Sequence, residues 1–142
     1  MSQELDDTTY NAIVSHCEEG NNCCDQEDYE NAIIAFKKAL DLIPPPLEIW
    51  ETTTWVVSSL GDCHFQLCQY EQAHHYLTFA MHCPDGLGNP FIHLRLGQTQ
   101  FELHNLDRAA DELTRAYMGD GESIFEDEDS KYFRFLQSRI SL

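Results

Sequence analysis

LGDCHFQLCQYEQAHHYLTFA, residues Leu60 to Ala80, sets four residues at intervals that recur twice more in the chain. Gly61, Tyr70, Ala73 and Leu77 are matched upstream by Gly20, Tyr29, Ala32 and Phe36, and downstream by Gly97, Leu106, Ala109 and Leu113. A further alanine follows each bulky residue, at Ala80, Ala39 and Ala116. Small residues at fixed places, repeated at intervals of roughly 20–50 residues, mark stacked supersecondary units rather than a single layered core. The cause is steric. A glycine or alanine where two helices cross lets their axes approach, and a bulky residue one turn on fills the adjacent groove. The expected fold class is all-α.

Apolar spacing predicts helices over about Tyr10 to Asn22 and Glu27 to Ile43, the second with Ile33, Phe36, Ala39, Leu40 and Ile43 on one face. Pro44-Pro45-Pro46 ends it, because proline supplies no N–H and restricts the residue before it. A long helix from about Leu47 to Leu67 and its partner from about Tyr70 to His82 follow. Asn89-Pro90 reads as a helix start, with a capping side chain and a proline at the first helical position. Helices are then expected over about Pro90 to Leu103 and Leu106 to Met118. Gly119 to Asp129 is glycine-containing and acidic, and a last short helix spans Ser130 to Ile140.

A chain of 142 residues fits one domain, 1–142, with a core of ordinary size. Eight Lys and Arg stand against 25 Asp and Glu, a formal charge of −17. Such a surface repels nucleic acid and anionic lipid and attracts basic partners. No run approaches the roughly 20 apolar residues of a membrane span. Met1 to Asp7 lacks the cationic start and apolar stretch of a secretory signal. Its six cysteines then read as reduced packing residues, and the expected location is cytoplasmic.

Chemical motifs are scarce. Cys23 and Cys24 are neighbours, Cys63 and Cys68 are five apart, and His74 and His75 point to different helix faces, so no zinc clasp forms. The acidic run Glu126, Asp127, Glu128 and Asp129 lacks the spacing of a calcium loop. Negative charge at the start of the last helix suits its dipole, and docking of a basic partner is the other use. There is no phosphate-binding loop, serine elbow or HExxH. The expectation is no enzyme, no metal and no cofactor.

DYENAI (Asp28 to Ile33), QYEQAH (Gln69 to His74) and NLDRAA (Asn105 to Ala110), each preceded by its glycine, resemble the turn and second helix of the tetratricopeptide repeat family. That resemblance implies a superhelical solenoid of three helix–turn–helix units, at about 10–46, 47–88 and 89–121, with an acidic segment and capping helix over 122–142. The glycines lie 41 and then 36 residues apart, against about 34 in the family. The first excess falls in Pro44 to Thr54, as either an extended helix or a projecting proline loop. The resemblance also implies a concave face lined by first helices. On it would lie Asn21, Cys24 and Asp25 from the first unit, Trp55, Asp62, Phe65 and Gln66 from the second, and Phe91, Arg95, Gln98, Phe101 and Glu102 from the third. The rings serve either as binding anchors or as packing between units. Family members that clamp anionic chaperone tails use lysines, arginines and asparagines there. Here Asn21 and Arg95 remain, but Cys17 and Asp62 stand where a lysine and an asparagine would help.

The ending GDGESIFEDEDSKYFRFL (Gly119 to Leu136) looks like small bacterial tetratricopeptide-like immunity proteins of polymorphic toxins. A cytoplasmic, non-enzymatic inhibitor of a basic toxin or effector is the implied function. The alternative is a peptide-binding chaperone or adaptor of the secretion-chaperone type. The partner is another protein or an extended peptide, not nucleic acid or a membrane, and the chain is a monomer or a homodimer.

Overall fold

The computed structural model describes residues 4–142. The expectation of no leader at Met1 to Asp7 therefore rests partly on residues outside those described. Among these residues seven α-helices follow one another: α1 Asp7–Asp25, α2 Tyr29–Leu42, α3 Glu51–Gln66, α4 Tyr70–Ala80, α5 Pro90–Glu102, α6 Leu106–Asp120 and α7 Ser130–Arg139. Short 3-10 turns precede α3 at Leu47–Ile49 and follow α6 at Gly121–Phe125. No strand occurs among the described residues. Each helix packs on the next in sequence, α1 on α2 through α5 on α6, and α7 closes the stack against α6.

The repeated glycines sit where the helices of a pair cross. A β-carbon on Gly20 would meet the Phe36 ring at 2.6 Å, one on Gly61 would meet Leu77 Cγ at 2.5 Å, and one on Gly97 would meet Leu113 Cδ2 at 2.7 Å. Ala32, Ala73 and Ala109 are all fully buried, as are Leu77 and Leu113. Three hydrophobic clusters result. One joins α1, α2 and α3 around Ile13, Phe36 and Leu60. The next joins α3, α4 and α5 around Val57, Leu77 and Ile92. The last joins α5 and α6 to α7 around Leu113, Phe125, Tyr132 and Leu136. Each pair buries its open side on the next, which is why the units stack.

Within every pair the connecting turn has the same backbone. Glu27, Cys68 and His104 adopt φ of 58°, 58° and 66°, and the next residue's N–H reaches back to Cys23, His64 or Gln100 at 2.8, 2.8 and 2.9 Å. A left-handed residue followed by that long return bond ends a helix and reverses the chain within three residues.

Several boundaries differ from the sequence reading. Helix α1 begins earlier, because Asp6 caps it through its carboxylate on Thr9 N–H at 3.4 Å. Helix α3 starts at Glu51 rather than Leu47. The extra residues after the prolines form a folded connection: Leu47–Ile49 makes its 3-10 turn, and Trp50 Nε1 donates to the Pro44 carbonyl at 2.7 Å. Of the two alternatives for the insertion, the extended helix is partly realised, whereas the connection packs Leu47 and Trp50 against the first cluster instead of projecting. The connection takes most of the extra residues, and α3 begins ten residues before its glycine, against seven for α5.

Candidate functional site

Helices α3 and α5 lie against each other. The expected binding residues on them fall into two groups with different surroundings.

The first group is engaged internally. Arg95 is buried, and its Nε donates to Asp62 Oδ1 at 2.6 Å while Nη1 donates to Gln98 Oε1 at 2.8 Å and Glu128 Oε1 at 2.5 Å. Gln98, also buried, donates through Nε2 to the same Glu128 oxygen at 2.8 Å. Burial opposes the charge on Arg95, yet Asp62 and Glu128 outweigh it and hold its pKa above the ordinary value. The guanidinium lies over the Phe65 and Phe91 rings, 5.2 and 5.1 Å from their centroids.

Glu102 is held in the same way. It accepts from Tyr132 Oη at 2.8 Å and from Lys131 Nζ at 2.6 Å, and burial followed by the bond to Glu102 pushes the Tyr132 phenol upward. Phe101 stacks edge-on to Tyr132 and Phe135. The segment that begins α7 is therefore laid onto α3 and α5. Arg95, Gln98, Phe101 and Glu102 serve the chain's own C-terminus. The acidic run is split by this arrangement: Glu128 is drawn inward, Asp129 caps α7 by accepting from Lys131 N–H at 3.0 Å, and Glu126 and Asp127 stay exposed.

The second group faces solvent. Trp55 and Phe91 are 41% and 39% exposed, unusual for such rings, and they line one cleft of about 370 Å³ between α3 and the α4–α5 loop. Glu51, Asp62 and Asp85 add three carboxylates to its lining. Thr54 Oγ1 donates to the Pro84 carbonyl at 2.7 Å, tying the loop to α3. Asn89 Oδ1 accepts from Phe91 and Ile92 N–H at 3.0 and 3.3 Å, and Gly88 N–H donates to His93 Nε2 at 2.9 Å. His93 Nδ1 lies 2.5 Å from Glu112 Oε2 on α6, so the ring links the loop, held at Nε2, to α6.

Asn21 and Asp25 are exposed on α1, and Gln66 is exposed beside Asp62, to which it donates at 3.3 Å. Cys24 Sγ lies 3.6 Å from Cys63 Sγ. Burial raises both thiol pKa values and Cys17 to about 11, so none is an activated nucleophile. Among the described residues no group of three or more His, Cys, Asp or Glu is placed to hold a metal ion. No helix is long and apolar enough to cross a membrane among those residues.

Sequence reasoning missed Glu51, Asp85, Lys131 and Tyr132. Glu51 was within reach, since it lies one turn before Trp55 on the same helical face. Asp85 sits in an irregular loop at φ 61°, for which no periodic signal exists.

No family model and no curated protein matches the chain. Solved structures do. The TPR domain of Arabidopsis OM64 superposes with a TM-score of 0.72 at 19% identity, covering 93% of this chain and 99% of that one. The Yersinia enterocolitica type III secretion chaperone SycD, in complex with a peptide of the translocator YopD, gives 0.69 at 17% identity over 96% and 95%. The second TPR domain of human RPAP3, in complex with the HSP70 peptide SGPTIEEVD, gives 0.67 at 16% identity over 92% and 96%. Three helix pairs crossing at small residues, closed by a seventh helix, thus have the fold of a tetratricopeptide-repeat domain.

Proposed function

We propose that this protein is a non-enzymatic interaction module that holds a basic protein partner, acting in the cytoplasm as an inhibitor or immunity protein for a cationic toxin or effector. The observation that carries the reading is the electrostatics of the first-helix face. Arg95 is neutralised within the chain by Asp62 and Glu128, while Asp25, Glu51 and Asp85 remain exposed, the last two beside Trp55 and Phe91. Exposed rings amid carboxylates suit a cationic surface, with charge steering the encounter and rings anchoring the complex. An anionic peptide tail meets no unneutralised guanidinium at Arg95. The overall charge of −17 favours the same class of partner. The peptide complexes of RPAP3 and SycD support a protein or peptide occupant for this kind of solenoid.

The test is co-expression and co-purification with the product of the adjacent gene. A cationic toxin neutralised and bound, with affinity falling at least tenfold from low to high salt, supports the inhibitor reading. A neighbour that is neither toxic nor bound ends it. Binding of an isolated linear segment would instead support a peptide-holding chaperone or adaptor, a second reading favoured by the likeness to SycD with its translocator peptide.

A further inference from the structure

The first-helix face already holds one guanidinium, and the way it does so is informative. The Arg95 head lies 5.2 and 5.1 Å from the Phe65 and Phe91 ring centroids and is bonded to the carboxylates of Asp62 and Glu128. Toward the N-terminal ends of α3 and α5 the same ingredients recur, with no Lys or Arg among the lining residues. Trp55 and Phe91 line the cleft together with the carboxylates of Glu51 and Asp85, and Asp62 is shared by both places. Asp62 Oδ1 accepts from Arg95 and Gln66, whereas Oδ2 receives no hydrogen bond among the described residues.

We infer that this cleft is a receptor for one arginine side chain of the basic partner. The inference rests on the proposed function for the partner's charge and adds the residue that is read. A purely apolar anchor would desolvate Glu51, Asp62 and Asp85 with nothing in return. A guanidinium stacks its plane on the rings and offers several N–H donors to the carboxylates. Lysine, a compact and strongly hydrated charge, stacks less well. A volume of about 370 Å³ admits one long side chain with its adjoining backbone rather than a folded element.

The cleft is also built in advance. Thr54 and Asn89 fix the loop that carries Pro84 and Asp85. A β-carbon on Gly86 would fall 1.8 Å from the Ala80 carbonyl oxygen, so the loop is pressed against the end of α4. Little ordering remains to be done on binding.

Three capped amino acids test the inference without the partner. N-acetyl-arginine amide, its neutral isostere N-acetyl-citrulline amide and N-acetyl-lysine amide are titrated into the full chain while the indole N–H signals are followed by NMR. Trp50 is the internal control, since its indole is bonded to the Pro44 carbonyl and lies outside the cleft. Trp55→Phe assigns the two signals. The arginine amide is expected to shift the Trp55 signal saturably, the citrulline amide to leave it in place, and the lysine amide to bind at least about threefold more weakly. Glu51→Gln and Asp85→Asn should each weaken arginine binding about fivefold, the scale of one exposed ion pair. No saturable shift, a citrulline response equal to arginine's, lysine binding as tight, or both variants without effect would each overturn the inference. If a basic partner binds and Trp55→Ala leaves its affinity unchanged, the receptor is wrong and the interaction reading stands. A selective arginine response with no basic partner to be found would support the receptor and overturn the interaction reading.

Discussion

Gly97→Ala should destabilise the protein although alanine is the better helix former. A methyl group on Gly97 would lie 2.7 Å from Leu113 Cδ2 and Cγ and 3.0 Å from the Leu113 backbone nitrogen. Carbon atoms pack comfortably at about 3.5–4.0 Å, so α5 and α6 would have to separate. Alanine in a helix interior gains about 1 kcal/mol over glycine. Overpacking a filled crossing costs about 1–3 kcal/mol. Leu113 is fully buried and part of the clash is with backbone, which no rotamer change relieves, so overpacking wins. The expected net loss is up to about 2 kcal/mol. At Gly20 only the end of the Phe36 ring is in the way, and the loss should be smaller. Leu113→Ala alone should cost about 2–5 kcal/mol. In the double variant the new methyl occupies part of the vacated space, so the two costs should sum to less than expected by about 1 kcal/mol or more. Urea unfolding of the four proteins, followed by far-ultraviolet circular dichroism, measures all of this. A Gly97→Ala protein about 1 kcal/mol more stable than the parent, with additive behaviour beside Leu113→Ala, would show that the helices do not cross there.

Other expectations follow from the site and the turns. Arg95→Met leaves the partly exposed carboxylates of Asp62 and Glu128 without their cation and should cost about 3 kcal/mol at neutral pH, the low end for a buried pair, read from urea unfolding. Glu128→Gln should cost less and should speed limited proteolysis around residues 121–129, a readout of the segment's detachment. Burial lowers the His64 pKa, only partly opposed by its bond to Gln69. The unfolded chain therefore takes up this proton first. The contribution is complete above the ordinary value of 6.5 and is lost as pH falls below it. Urea midpoints from pH 7.5 to 5.5 should fall more steeply for the parent than for His64→Phe, and parallel curves would contradict this. His104→Gly, at an exposed left-handed turn position, should raise stability by about 0.5–1 kcal/mol, read as a higher thermal midpoint.

The crossing of each helix pair was legible because it depends on residues a fixed number of turns apart. Gly61 and Leu77 lie in adjacent helices joined by a three-residue turn, so spacing alone puts them in register. The same count puts Trp55 and Phe91 on the first-helix face, but whether their rings are exposed or packed between units was decided by the tertiary structure. The start of α1 was less so, since Asp6 caps a stretch whose apolar period begins only later. Connections were harder still. Whether the residues after the prolines extend α3 or fold on themselves depends on where Trp50 finds an acceptor, and that acceptor is a backbone carbonyl six residues away.

Periodicity in the chain by itself determined the helical class, the pairing of neighbours and the residues at each crossing, because all of these follow from the geometry of one helix turn. Which carboxylates neutralise Arg95 was decided only in three dimensions. Any of 25 acidic residues offers the same charge, and Glu128 takes the place because the chain after α6 turns back and lays the start of α7 on α3 and α5. That return fills one part of the first-helix face and leaves the Trp55–Phe91 cleft open. Local spacing carries no information about it, since the two partners lie 33 residues apart and meet through the packing of whole helices.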